Sequence, residues 1–142
     1  MNKKILIAAS ALMFQAACAA TPDQQALRRV WQVEQFPKIS DARTAELKAY
    51  IDLTALPQAH AKFGCNTVNF ELTLSGKRKM RIGQSMSTLA YCEGEMEMEE
   101  AFQTLQPHIR RYRLQGDTLT LYAGRGRIIR LRAAASAPKQ AE

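Results

Sequence analysis

The chain is poor in the residues that usually carry chemistry. Its 142 residues include three cysteines, two histidines and one tryptophan. No Ser/His/Asp grouping, no carboxylates paired at a defined spacing and no phosphate-cradling loop is legible, so nothing points to a nucleophilic, acid–base or nucleotide-dependent enzyme. No cofactor is expected, and the reading is a non-enzymatic protein. The uncharged, mostly apolar run at 5–14 is too short for a bilayer-spanning helix, which needs roughly 20 residues. No Gly/Ser linker, internal repeat or low-complexity block interrupts residues 28–133, which therefore read as one domain, expected to be monomeric. The tail at 134–142 has no large apolar side chain and is expected to be disordered.

Lysine and arginine number 20 against 13 acidic residues, a formal charge of +7. A basic balance can mark nucleic-acid binding. Stacking aromatics and a helix-turn-helix pattern are both missing, and the N-terminus points to export, so no nucleic-acid partner is expected. The charge reads as solubility and loose attraction to anionic envelope surfaces.

Met1, Asn2, Lys3 and Lys4 form a positive start, the apolar run follows, and Ala16, Ala17, Cys18, Ala19 and Ala20 supply small residues. That order is a secretory signal over residues 1–20. Two processing routes are compatible with it. Signal peptidase can cut after Ala19 or Ala20. Alternatively, Gln15-Ala16-Ala17-Cys18 resembles a lipoprotein signal, with Cys18 acylated and the protein anchored to the outer membrane. Either route places the domain in the periplasm or at its boundary.

Beyond that segment the alternation of apolar and polar residues predicts strands at 30–36, 47–53 and 59–63. Val68, Phe70, Leu72 and Leu74 keep strict period two. Ser75-Gly76-Lys77 then turns into a return strand with Met80 and Ile82 up to Gly83, which makes a hairpin. Gly64 inside a strand-like run suggests a bulge or a close backbone approach. Residues 88–91 read as a short strand or extended segment. The period then changes: Met98, Ala101, Phe102, Leu105 and Ile109 share one face of a helix at about 95–106, stopped by Pro107. Strands at 112–114, 118–122 and 127–131 follow. Ile128 and Ile129 fall on opposite faces, so one is expected at the surface or at a bulge. The polar stretch 38–46 shows no strong period. The expected core is Trp31, Val68, Phe70, Leu72, Met80, Ile82, Phe102, Leu105, Leu119 and Leu121.

Glu93, Glu95, Glu97, Glu99 and Glu100 crowd the helix start, where the helix dipole favours anions; they read as a solvated helix end and not as a metal site, because alternate residues do not share a helical face. Arg125, Arg127, Arg130 and Arg132 read as edge-strand charge or as a patch for lipid headgroups or acidic glycans. Cys65 and Cys92, with His60 and His108, lack the close ligand pairs of a structural zinc site, and no metal is expected. They are the two cysteines left after the targeting segment, and export puts them where thiols oxidise, so a Cys65–Cys92 disulfide is expected, with unpaired buried thiols the alternative.

The ordered set Trp31-Gln32-Val33, Gly64-Cys65-Asn66, the alternating strand, Thr88-Leu89-Ala90-Tyr91-Cys92, Glu99 with Phe102, and Leu119-Thr120-Leu121 resembles the META domain, the family that includes the heat-shock protein HslJ. Gly64, Cys65, Asn66, Thr88 and Cys92 carry the motif; after Asn66 this chain has Thr67, Val68 and Asn69 where the family often has an aromatic and a glycine. The resemblance covers roughly residues 28–133. It implies an α+β fold, a mostly antiparallel β meander rolled toward a small barrel with one helix packed against it. It also implies an exported bacterial envelope protein with a stress-related or partner-binding role and no accepted enzymatic activity. A carrier of small apolar ligands or lipid, using a cavity in the rolled sheet, is the alternative. The partner is expected to be an envelope protein or a lipid.

Overall fold

A computed structural model describes residues 21–138. The signal segment 1–20 with Cys18, and residues 139–142, lie outside the described residues.

Eight antiparallel strands form a closed ring: β1 (Val30–Gln35), β2 (Tyr50–Asp52), β3 (Gln58–Lys62), β4 (Thr67–Ser75), β5 (Lys79–Ser87), β6 (Arg111–Gln115), β7 (Thr118–Tyr122) and β8 (Ile128–Ala134). Each pairs with the next in sequence, and β8 returns to β1 with Val30 opposite Ala134. The junctions are unequal. β1 and β8 share a register of five residue pairs, whereas β5 meets β6 at Lys79–Arg111. Two backbone bonds flank that pair, Met80 N–H to Arg110 O and Tyr112 N–H to Arg78 O, each 3.0 Å.

All ten expected core residues are buried. Inward positions alternate along most of the strand length, and α3 (Glu97–Leu105) lays Met98, Phe102 and Leu105 on the barrel. Phe102 sits 4.3 Å from Phe63 and 5.9 Å from Phe70 between ring centroids, so one helix residue joins β4 and the β3–β4 loop.

The expectation of a single helix at about 95–106 is corrected in two ways. The helix is shorter, and Gln106–His108 continues as a 3₁₀ turn containing Pro107, which a longer α-helix would not accommodate. Two further short helices flank the ring. α1 (Pro22–Leu27) starts with a capping box: Thr21 Oγ1 accepts from Gln24 N–H, and Gln24 Oε1 accepts from Thr21 N–H at 3.1 Å. Its Leu27 is buried and its carbonyl accepts from Trp31 Nε1 at 2.9 Å, so ordered structure begins upstream of residue 28. α2 (Asp41–Leu47) occupies the stretch that shows no period. Ser40 caps it, and Thr44 and Leu47 are its two buried residues, too few to display a helical repeat. Leu47 thus belongs to a helix, and β2 is limited to three residues. At the other end of the chain, β8 continues to Ala134, into the expected tail. Ile129 is buried and Ile128 half-exposed, with regular pairing to β7.

The antiparallel order sets two ends. α1, the β4–β5 turn, the β6–β7 turn and the end of β8 lie at one, tied by Arg29 Nη1 to Asp117 Oδ1 at 2.7 Å. α2, the loops 63–66 and 88–96 and α3 lie at the other.

Candidate functional site

The motif residues converge at this second end. Gly64, Cys65 and Asn66 leave β3, and Thr88 to Cys92 leave β5 in an extended but unpaired course. Cys65 and Cys92 are joined by a disulfide with Cα atoms 6.1 Å apart, inside the usual span.

Asn66 is 1 % exposed and spends its whole amide on the facing segment. Its Oδ1 accepts from Thr88 Oγ1 and from Ala90 N–H, both at 2.8 Å, and its Nδ2 donates to Ala90 O at 2.8 Å. Thr88 Oγ1 in turn accepts from Thr67 N–H at 3.1 Å, and Thr88 N–H donates to Thr67 O at 3.2 Å. A side-chain amide here substitutes for a strand pairing that the chain geometry no longer supplies.

Gly64 marks a close approach. A Cβ on it would lie 2.1 Å from the carbonyl oxygen of Glu95, so only a residue without a side chain lets the loop before α3 settle on the β3–β4 loop. Arg43 of α2 holds the same loop from outside, with Nε 2.8 Å from Glu97 Oε1, Nη1 3.1 Å from Glu46 Oε2 and Nη2 donating to Gly94 O. Glu97 foremost, then Glu46, raise the guanidinium pKa above its ordinary value.

The side chains borne by this fixed segment point outward. Leu89 is 97 % exposed, Tyr91 81 % and Met86, on β5, 76 %. Met86 faces out because the β4–β5 register shifts between Phe70 and Leu72. The bulge moves the phase of β5 after Gly83, so Ser85 and Ser87, opposite Phe70 and Val68, face inward. There they meet polar groups of α3 and the 3₁₀ turn. Ser87 Oγ lies 2.7 Å from Glu99 Oε1, and Gln106 Nε2 donates to Ser85 Oγ at 2.7 Å.

The structure corrects the acidic helix start at one position. Glu93, Glu95, Glu97 and Glu100 are exposed, but Glu99 is 4 % exposed, bound by Ser87 and by Gln103 Nε2. Its Oε2 has no hydrogen-bond partner among the described residues. The polar partner Ser87 is the missing signal; it becomes inward only through the bulge. The four residues weighed as zinc ligands are not assembled. The cysteines bond each other, His60 lies 3.7 Å from Asp52 Oδ2, and no cluster of three metal-ligating side chains occurs among the described residues. Of the last hairpin's arginines, Arg132 pairs with Glu34 and Arg127 donates to Ala123 O.

The fold has solved counterparts. An NMR structure of a protein from Burkholderia xenovorans is 19 % identical, covers 84 % of this chain and 94 % of its own, and superposes with a TM-score of 0.66. A second NMR structure is 14 % identical over 81 % and 96 % of the two chains, with a TM-score of 0.57. A crystal structure of a DUF4847 family protein from Bacteroides vulgatus is 15 % identical over 80 % and 96 %, with a TM-score of 0.54. At these identities the likeness is one of fold. No curated protein matches the chain. The META domain family model matches residues 24–136. With the Gly64–Asn66 and Thr88–Cys92 segments joined as described, the chain belongs to the META domain family.

Proposed function

We propose that this is an exported envelope protein, non-enzymatic and stress-related, that engages a protein partner through residues 86–91. The observation that carries the reading is the exposure of Leu89 and Tyr91 on a backbone held by a disulfide and by the Asn66 amide. Apolar side chains on a loose loop are common and cheap to hide; here the segment is fixed with them facing water. A fixed segment loses little conformational entropy on docking, so its apolar area converts to affinity more fully. Export itself is supported by the charged, apolar and small-residue order of residues 1–20. The carrier alternative needs an apolar cavity, whereas Trp31, Phe63, Phe70 and Phe102 are buried together in one hydrophobic cluster.

The test is a crosslinking capture from envelope extracts of the native host, comparing the parent chain with Leu89→Ser/Tyr91→Ser. A partner captured by the parent and lost by the double variant, at unchanged melting temperature, supports the reading. Identical capture by both chains overturns it. Intact mass of the native protein tests export separately: loss of the first 17 to 20 residues is expected, with a diacylglyceryl increment on Cys18 for the lipoprotein route.

A further inference from the structure

The opposite end of the barrel carries a different surface. Between α1, the β4–β5 turn and β6 runs an open groove of about 1230 Å³, lined by Lys77, Arg78, Arg111 and Arg113 together with Tyr112 and Tyr122. Asp23 is the one acidic residue on its wall. None of the four cations forms a salt bridge among the described residues, although elsewhere Arg29 and Arg132 each have one and Arg43 has two.

The cations extend beyond the groove. Lys79 stands directly opposite Arg111 across the β5–β6 junction, and Arg113 and Arg130 both stand opposite Thr120, one on each side, in the same outward row. Like charges placed directly opposite each other on adjacent strands disfavour the pairing. That cost at Lys79–Arg111, with Arg113 and Arg130 adding like charge to the same face, is relieved when an extended anionic surface covers it. Tyr122, half-buried at the edge, has the amphipathic form that sits well at a headgroup layer. Thr21 also lines the groove. Cys18 is three residues upstream of it, and three residues span at most about 10 Å. An acyl chain at Cys18 would therefore lie within reach of the same face.

We propose that the groove and its flanking cations, Lys77, Arg78, Lys79, Arg111 and Arg113, form a docking face for phosphate headgroups of an anionic lipid surface. This orientation puts the 86–91 segment at the end of the barrel that faces away from the bilayer. The proposal rests on the reading of an envelope protein but not on the partner segment, and it needs no acylation to be measured.

The experiment uses residues 21–142, which contain the whole barrel and its three helices, with sedimented vesicles of phosphatidylglycerol mixed into phosphatidylcholine. The parent partitions onto the mixed vesicles and not onto pure phosphatidylcholine, with binding that weakens as salt rises. Lys77→Gln/Arg113→Gln lowers the partition coefficient about 30-fold, the loss of two cations near such a surface. Lys38→Gln/Lys48→Gln, exposed at the opposite end, removes the same charge and leaves partitioning within twofold. Equal losses from both double variants would mean that net charge alone drives the attraction, and would overturn the docking face. So would no partition by the parent, saturable binding of inorganic phosphate that persists without vesicles, or tighter binding of a single-stranded oligonucleotide than of the vesicles. Matching melting temperatures exclude unfolding as the cause of any loss. Failure here with a processed native mass would leave export standing and remove only the lipid face.

Discussion

The side chain of Asn66 grips Ala90 at both ends of its backbone, accepting from its N–H and donating to its carbonyl, each at 2.8 Å. This is the geometry of a two-bond strand pairing made by one amide. It holds the segment between β5 and α3 flat against the barrel while Leu89 and Tyr91, on either side of Ala90, stay in water.

Replacing Asn66 removes both bonds and the Thr88 contact together. Ala90 is exposed, so water can rebond its backbone, and the cost is reduced from that of a deeply buried loss. Asn66→Ala is expected to lower stability by about 1–3 kcal/mol in urea unfolding. Amide exchange at Ala90 should accelerate far more than in β7 or β8. Unchanged exchange at Ala90 would show that the disulfide alone holds the segment.

Gly64→Ala tests space rather than backbone conformation. The added methyl would sit 2.1 Å from Glu95 O, and a backbone carbonyl cannot swing aside as a side chain can. Destabilisation of about 1–3 kcal/mol or more is expected, together with displacement of the loop before α3. A variant that melts with the parent would mean that this loop relaxes freely.

Phe102→Ala leaves a hole against both Phe63 and Phe70 and should cost about 3–5 kcal/mol. That is a large part of the 5–15 kcal/mol typical of a domain. Equilibrium denaturation checks it, and a loss under 1 kcal/mol would contradict the packing of α3.

The disulfide closes a separation of 27 residues, for which chain entropy gives at most about 3.5 kcal/mol. Cys65→Ser/Cys92→Ser should lower the unfolding free energy measured in urea by up to that amount, and the mature oxidised protein should show neither Cys65 nor Cys92 as a free thiol. A midpoint that does not move on reduction would make the bond irrelevant to folding stability. The Asn66 clamp lies one residue from Cys65, so a double-mutant cycle between the two should show non-additivity.

Strand periodicity made most of the barrel readable. Val68, Phe70, Leu72 and Leu74 alternate plainly, and Met98, Phe102 and Leu105 announce one helix face. What stayed hidden had physical causes. α2 buries only Thr44 and Leu47, which is less than one recognisable repeat. α1 carries the Thr21-Pro22 start and Gln24 of a capping box, a signal present in the sequence but set against a single turn and a half of helix. β5 runs to Ser87, past Gly83, because the bulge reverses its phase and hides the alternation. At the site, the two cysteines could be paired by counting. The roles of Asn66, Ser87 and Glu99 depend on a loop meeting a strand far along the chain, and no local pattern encodes that.

The unequal junctions of the ring bear on where the molecule comes apart. The first and last strands lie side by side, with Val30 opposite Ala134, over five residue pairs and one register shift between Val33 and Gln35. The ring's short contact is internal, where β5 and β6 meet across the excursion that carries α3. Opening of the ring is therefore favoured at Lys79–Arg111, in the middle of the sequence, and not by fraying of the termini. Topologically, the fold behaves as a sheet whose two outermost strands are β5 and β6, with the first and last strands, β1 and β8, paired in its interior.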